Sequence, residues 1–174
     1  MKTILAILAL GLISSWDVLG KAYFFSRSEL IDKAQIIAIV VIEEPEVAKP
    51  AKEESRDPFA KDGATGKNWT YSKQAKIRVE KIIKGKIPDE AILYGQESFI
   101  CAQCILSKGR FLAFLSKDEN LWVGANWQLS LRPIREGEVE WYVSEKQRYP
   151  MRFQKLEEVL TQIRTHLKKQ QRIG

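Results

Sequence analysis

Apolar and polar residues alternate along short segments that follow one another through most of the chain. This alternation predicts strands, because successive side chains of a strand point to opposite faces. The predicted strands cover residues 34–42, 75–79, 91–94, 110–115, 127–131 and 139–143. Turn or polar residues, such as Glu136 and Gly137, separate them. The pattern predicts a mainly β domain, either a small barrel or a sandwich.

The first predicted strand differs from the others because residues 36–42 are all apolar and mostly β-branched. A continuous run of this kind is typical of a strand that is buried on both faces. We therefore expect residues 36–42 to form the centre of the core, covered on one face by the barrel interior and on the other by a helix.

Two segments with helical patterns flank the predicted strands. Residues 28–34 begin with Ser28 as a capping residue and carry an acid in the first turn, so they predict a short helix. Near the end of the chain, apolar residues recur with a period of about 3.6, which predicts an amphipathic helix that packs on the barrel. Its apolar face comprises Phe153, Leu156, Val159, Leu160, Ile163 and Leu167.

Residues 1–20 have the pattern of a secretory signal peptide. An uncharged, mostly apolar run over 3–16 follows Lys2, and Asp17 ends it. The run is shorter than the roughly 20 apolar residues that a membrane-spanning helix needs, so cleavage is favoured over a retained anchor. We therefore expect an exported protein, periplasmic or extracellular, without a transmembrane anchor after cleavage.

Cleavage is expected after Gly20 or after Ala22, and the sequence does not decide between them. Residues 21–174 then have the length of one domain, and a hydrophobic content of 45% supports a packed core. The formal net charge is +6, which suits polyanions or an anionic membrane surface as well as ordinary solubility. Charge alone therefore assigns no partner.

The composition changes over about 43–68, where charged residues and prolines replace apolar ones. Such a segment buries too little surface to offset its ordering entropy, so we expect a long mobile loop. Loops of this length serve binding in some proteins and are tolerated insertions in others. Asn68 begins an Asn-x-Thr pattern, which accepts a glycan where the source cell attaches one. The candidate partner-contact residues in and beside the loop are Glu43, Glu44, Glu53, Glu54, Phe59 and Trp69.

Three segments, taken together with the short first helix, resemble the netrin-like domains related to tissue inhibitors of metalloproteinases. They are residues 34–40, 79–85 and 109–115, and the resemblance spans about 28–167. Exported bacterial proteins are common members of that group. The resemblance implies a five- to six-stranded closed barrel of the oligosaccharide/oligonucleotide-binding (OB) type. A short N-terminal helix and an amphipathic C-terminal helix would flank this barrel.

The activity of the inhibitors does not follow from this resemblance. In the animal inhibitors, an N-terminal Cys-x-Cys places the chain's own amino group and a carbonyl on the protease zinc. Here the mature chain is expected to start near Lys21, and the first cysteine is Cys101. The resemblance implies a contact position at most, because the loop over 43–67 follows the first strand, where those inhibitors have a partner-contacting loop. Fold alone does not imply function.

Cys101 and Cys104 form the only local pattern with chemistry of its own. In an exported protein, two cysteines at this spacing can close a structural disulfide, which is the hypothesis we favour. The alternative is a redox pair, which requires a cysteine pKa lowered by a feature such as a helix N-terminus. Residues 105–110 lead into a predicted strand instead. A zinc site is disfavoured because the two thiols and His166 supply three of the usual four ligands.

The sequence contains no nucleophile elbow, phosphate-binding loop or metalloprotease helix motif, and its single histidine, His166, is expected on the surface of the last helix. We therefore expect a non-enzymatic binding module, without cofactor or metal, whose partner is an unknown protein or envelope component. The alternatives are a thiol–disulfide redox protein and a polyanion-binding barrel, although nucleic acid is not the expected ligand. The polyanion face would comprise Lys76, Arg78, Lys81, Lys84 and Lys86.

If Cys101 and Cys104 form a structural disulfide, protein purified from the exported fraction should contain no free thiol before reduction. Its reduction potential should lie below about −300 mV, the range of structural disulfides. Thiol titration in a series of glutathione buffers measures both properties, with metal content determined on the same sample. A readily exchanged disulfide with a potential between about −120 and −270 mV would instead favour the redox alternative.

Overall fold

The structure is a computed structural model that describes residues 24–48, 71, 73–95, 105–145 and 151–172. The described residues form two helices and nine strands, numbered in chain order. Helix α1 is Arg27–Lys33 and helix α2 is Leu156–Gln170. The strands are β1 Ile36–Ile42, β2 Glu46–Val47, β3 Lys73–Lys84, β4 Glu90–Gly95, β5 Gly109–Asp118, β6 Leu121–Gly124, β7 Leu131–Arg135, β8 Glu138–Tyr142 and β9 Met151–Lys155.

Five of the strands close into a barrel. Strand β1 pairs with β3, β3 with β4, β4 with β6, β6 with β5, and β5 with β1. All of these pairs are antiparallel except β4 and β6, which run parallel. A five-stranded barrel with this strand order is of the OB type. The predicted fold class, a mainly β closed barrel with a short N-terminal helix and a C-terminal helix, is confirmed.

Strand β1 is buried on both of its faces, as its unbroken apolar sequence predicts. Ala38 and Val40 point into the barrel, where they pack with residues of β3, β4 and β5. Ile37 and Ile39 point out of the barrel and pack with residues of α1, α2 and β8. Full burial of one aliphatic side chain contributes about 1.5–3 kcal/mol to folding. Because its side chains are divided between the barrel interior and the core under the helices, β1 stabilises both.

The second core lies between the outside of the barrel and the two helices. Trp141 of β8 is fully buried there and stacks on Phe114 of β5, with ring centroids 5.6 Å apart. Its Nε1–H donates to Gln162 Oε1 of α2 at 3.1 Å. Tyr142 packs edge-on against Trp141, and its hydroxyl donates to the carbonyl of Phe25 at 2.9 Å. These contacts hold α2 and the chain before α1 on the barrel.

Strands β7, β8 and β9 extend the sheet outward from β5. Strand β7 pairs with β5, β8 with β7, and β9 with β8. The two-residue turn between β7 and β8 has φ values of 50° at Glu136 and 80° at Gly137. Positive φ at both positions is typical of a type I′ hairpin turn. The turn predicted at these two residues is therefore confirmed.

The strand predicted over 127–131 is wrong for all but its last residue, where β7 begins. The first three residues form a 3-10 turn instead. The Leu129 amide donates to the Asn126 carbonyl at 2.9 Å, and the Asn126 amide donates to Ser130 Oγ at 2.8 Å. These local hydrogen bonds replace strand pairing, although Leu129 is still fully buried, as the alternation requires.

The helix bounds also differ from the predicted ones. Helix α1 is capped by Ser26, not Ser28, in a capping box with Glu29. Helix α2 begins at Leu156, and Phe153 is 54% exposed on β9 instead of lying on the apolar helix face. The error arises because β9 runs directly into α2 without a turn residue between them.

The loop predicted over about 43–68 contains a short strand near its beginning. Its residues 46 and 47 form β2, which pairs with β3, and Gln74 Nε2 donates to Glu46 Oε1 at 2.8 Å. The part of the loop from residue 49 onward lies outside the described residues, as does the leader over 1–20. Their roles stay predictions.

Two glycines with the same backbone conformation provide a matched test of the packing between β3 and β1. Gly85 and Gly137 both have φ of 80°, but a Cβ at Gly85 would lie 2.3 Å from the carbonyl oxygen of Gln35, whereas one at Gly137 would meet nothing within 4 Å. We expect Gly137→Ala to lower the free energy of unfolding by about 1–2 kcal/mol, because the alanine backbone is strained in the left-handed region and its Cβ meets no other atom. Gly85→Ala should lower it by roughly 1–3 kcal/mol more, because the backbone must also shift. Urea denaturation of both variants measures the difference, and equal losses would contradict the close approach at Gln35.

Candidate functional site

Several candidate residues lie outside the part of the chain that the structure describes. They are Glu53, Glu54, Phe59, Asn68, Trp69, Cys101 and Cys104. The disulfide, redox and loop-contact hypotheses that depend on them stay predictions. The candidates that the structure does describe are Glu43, Glu44, Lys76, Arg78, Lys81, Lys84 and Lys86.

An open groove lies on the outer face of β3 and β4, and we call it the β3–β4 groove. Lys76 and Arg78 are exposed there, because they alternate along β3 with residues that point into the barrel. In the strand register, Lys76 lies opposite Ile92 and Arg78 lies opposite Glu90. With Glu43, these four residues line most of a cavity of about 310 Å³. The groove thus combines two bases, two acids and an exposed apolar side chain.

Beside this groove, the acid Glu80 of β3 lies between two bases, Arg78 of β3 and Arg110 of β5. Glu80 Oε1 lies 3.6 Å from Arg78 Nη2, and Glu80 Oε2 accepts from Arg110 Nε of β5 at 2.7 Å. Glu80 is an extra residue on β3, between the residues that pair with Ile39 and Val40. Exposed ion pairs of this kind contribute about 1 kcal/mol or less, so their main effect is on the charge pattern.

The beginning of the predicted acidic loop lies next to the predicted basic face. The Glu43 amide donates to the Lys76 carbonyl at 3.0 Å, which places Glu43 at the edge of the β3–β4 groove. Glu44 Oε2 lies 3.9 Å from Lys108 Nζ, and both side chains are exposed. Residues that the sequence predicts for two different functions therefore belong to one surface of mixed charge.

The remaining three lysines of the predicted polyanion face do not line the groove. Lys81 is exposed opposite Ile39 in the β1–β3 ladder, and Lys86 is exposed in the connection from β3 to β4. Lys84 Nζ donates to the carbonyl oxygens of Ile31 and Asp32 at 2.8 and 2.9 Å. Lys84 thus binds the C-terminal end of α1, where carbonyl groups lack helical partners. Only Lys76 and Arg78 of the predicted face share the groove.

Four further residues, Glu80, Glu90, Ile92 and Arg110, contribute to the groove or to the surface beside it. Alternation along β3 places Glu80 on the same face as Arg78, and this signal is present in the sequence. Glu90, Ile92 and Arg110 join the surface through the register of β4 and the closure by β5, which no local pattern in the sequence specifies.

His166 lies between the two helices instead of on an open surface. Its Nε2 is 2.6 Å from Asp32 Oδ1, which also accepts from Gln170 Nε2 at 2.7 Å, and the histidine side chain is 21% exposed. Asp32 is the partner that the sequence cannot identify, because 134 positions separate the two residues. Within the described ranges, no three or more His, Cys, Asp or Glu side chains are grouped so that they could hold a metal ion.

Comparison of the chain with protein-family models, with curated proteins and with solved structures finds no match. The netrin-like assignment therefore continues to depend on the sequence segments that suggest it. Among the described residues, neither helix has the length and apolar content needed to cross a membrane.

The Lys84 contact with α1 should be visible in the pH dependence of stability. Burial lowers the pKa of Lys84, and the Asp32 carboxylate acts in the opposite direction. Since the unfolded chain binds this proton more tightly, the free energy of unfolding should rise as pH increases through the folded-state pKa toward the unfolded value of about 10.4. Lys84→Met should remove that contribution. It should also lower stability at neutral pH by about 1–3 kcal/mol, because two carbonyl groups lose their donor.

Urea denaturation between neutral pH and about pH 10.4 measures both effects. Lys86→Met is the matched control, because it removes an equal charge from an exposed position two residues away. Identical stability curves for the two variants would show that the Lys84 hydrogen bonds contribute nothing to the attachment of α1.

Proposed function

We propose that this protein is a non-enzymatic, exported binding module that holds another protein through the β3–β4 groove and the adjoining Glu43 and Glu44. The observation that carries this proposal is the alternation of acidic and basic side chains around an open groove with an apolar centre. The leader pattern in the sequence supports export to the periplasm or the extracellular space.

The charge pattern favours a protein partner over a polyanion. A phosphate or sulfate polymer is bound along a path of positive charge, and that binding weakens steeply with salt. Here acids and bases share the groove: Glu43 and Glu90 line it beside Lys76 and Arg78, and Arg78 Nη2 lies 3.6 Å from Glu80 Oε1. Protein surfaces present both signs, and complementary charges give specificity and correct orientation. Ile92, which is 41% exposed, supplies an apolar contact among these charges.

The position of the groove on the barrel agrees with this proposal. OB-type barrels commonly bind ligands across the face of their second and third strands and through the adjoining loops. Strands β3 and β4 are the second and third strands of this barrel, and Glu43 and Glu44 follow its first strand. The netrin-like resemblance predicts partner contact at that same place. Both points are analogies with the fold, and they support the proposal without assigning a partner.

Site-specific photocrosslinking tests the proposal in the cells that produce the protein. With benzoylphenylalanine in place of Ile92, we expect crosslinks to one discrete protein of the cell envelope. The same crosslinker in place of Phe153, which is 54% exposed on β9, provides the control for an exposed apolar position outside the groove. Adding Arg78→Glu to the Ile92 variant should remove most of the crosslinked product, because it reverses a charge that faces the partner.

Equal crosslinking from positions 92 and 153, or a product that Arg78→Glu leaves unchanged, would contradict protein binding through the groove. A titration with fluorescent heparin tests the polyanion alternative on the same variants. Tight binding that falls steeply between low and physiological salt, and that Lys76→Glu weakens, would replace the protein partner with a polyanion.

A further inference from the structure

A second groove lies where β5 begins, beside β7, and we call it the β5–β7 groove. It has a volume of about 380 Å³ and is open to solvent on one side. The residues that matter for its chemistry are Ile105, Lys108, Arg110, Pro133, Ile134 and Arg135. It is separate from the β3–β4 groove, although Glu80 contacts both Arg78 of that groove and Arg110 of this one.

Among the described residues that line the β5–β7 groove, every ionisable side chain is basic. Arg135 is exposed and forms no ion pair with any described residue. Arg110 uses Nε to bind Glu80, and its two terminal nitrogens have no hydrogen-bond partner among the described residues. Among the described residues, Lys108 has only the contact of 3.9 Å with Glu44, which is too long for a hydrogen bond. The rim therefore offers several N–H donors to an anion.

The floor of the groove is apolar. Phe111 and Leu131, which belong to the barrel core, line it together with the partly exposed Pro133. Gly109 contributes to the opening, because a Cβ at this position would lie 3.3 Å from the Phe111 ring. The groove therefore has space for a small apolar group next to the basic rim.

We propose that the β5–β7 groove binds the free C-terminal carboxylate of a peptide whose last side chain is apolar. Arginine binds carboxylate through two parallel hydrogen bonds, and the basic rim supplies two arginines for this purpose. The volume is at the lower end of the range for ligand pockets, which suits a terminal residue. An open groove would leave a long acyl chain largely in water, so a peptide end fits better than a fatty acid.

The test uses a fluorescein-labelled hexapeptide that ends in Val-Leu with a free carboxylate, and the same peptide with a C-terminal amide. Fluorescence anisotropy should show that the acid binds at least about tenfold more tightly than the amide, since the amide loses the charge-assisted hydrogen bonds. Arg135→Glu should weaken binding of the acid by a similar factor, because it places a carboxylate on the rim. Arg135 is exposed, so this variant should retain the wild-type melting temperature.

Lys76→Glu is the matched control, because it makes the same change of charge in the β3–β4 groove and should leave peptide binding unchanged. The two proposals are tested separately, because the crosslinking result at position 92 can fail while the peptide-binding result holds. Equal affinity for acid and amide, or an undiminished affinity of Arg135→Glu, would overturn the proposal. So would the absence of amide ¹⁵N chemical-shift changes at residues 108–110, 134 and 135 with the acid peptide at millimolar concentration. Decanoate that displaces the peptide and binds more tightly would assign the groove to lipid carboxylates instead.

Discussion

Strand β1 is buried on both faces and paired along both edges, and both cores of the protein are built on it. It pairs with β3 on one side and with β5 on the other, so it closes the barrel. Its side chains alternate between the barrel interior and the core beneath the helices. Because both faces exclude water, only an unbroken apolar sequence satisfies the position. Helix α1, helix α2 and β8 all pack against the outer side of this strand and its neighbour β5, so loss of β1 packing would release both cores.

Barrel closure also determines how charges are distributed on the surface. Strand β3 is bound between β1 and β4, and its extra residue at Glu80 lies between a base on β3 and a base on β5. The outer face of β3 and β4 is therefore of mixed charge, whereas the described residues that line the mouth between β5 and β7 carry only positive charges. One barrel thus presents two grooves of different chemistry, which suits a module that binds a protein surface at one and a small anionic group at the other.

The attachment of the helices illustrates a different balance of forces. Apolar packing around Trp141 supplies most of the contact, while Lys84 and Asp32 provide polar contacts at the C-terminal end of α1. The Lys84 ammonium gains a favourable contact with the end of α1, but its burial lowers the pKa of Lys84. Such a lysine serves the fold and is not free for ligand binding. Lys81 and Lys86 are exposed away from the groove, so two of the five predicted basic residues, Lys76 and Arg78, line it.

The sequence alone predicts the β-rich class, the position of the doubly buried strand, the Glu136 and Gly137 turn and the amphipathic helix, because each depends on local periodicity or turn chemistry. The sequence could not predict the short strands β2 and β6, since two to four residues carry too weak a pattern, or β9, which runs directly into α2. It misassigned residues 127–130, whose hydrogen bonds are local. The folded structure adds that Arg110 joins Arg78 through Glu80, that Asp32 meets His166 and that Lys84 binds α1. These groups are distant in the chain, and strand register and barrel closure bring them together.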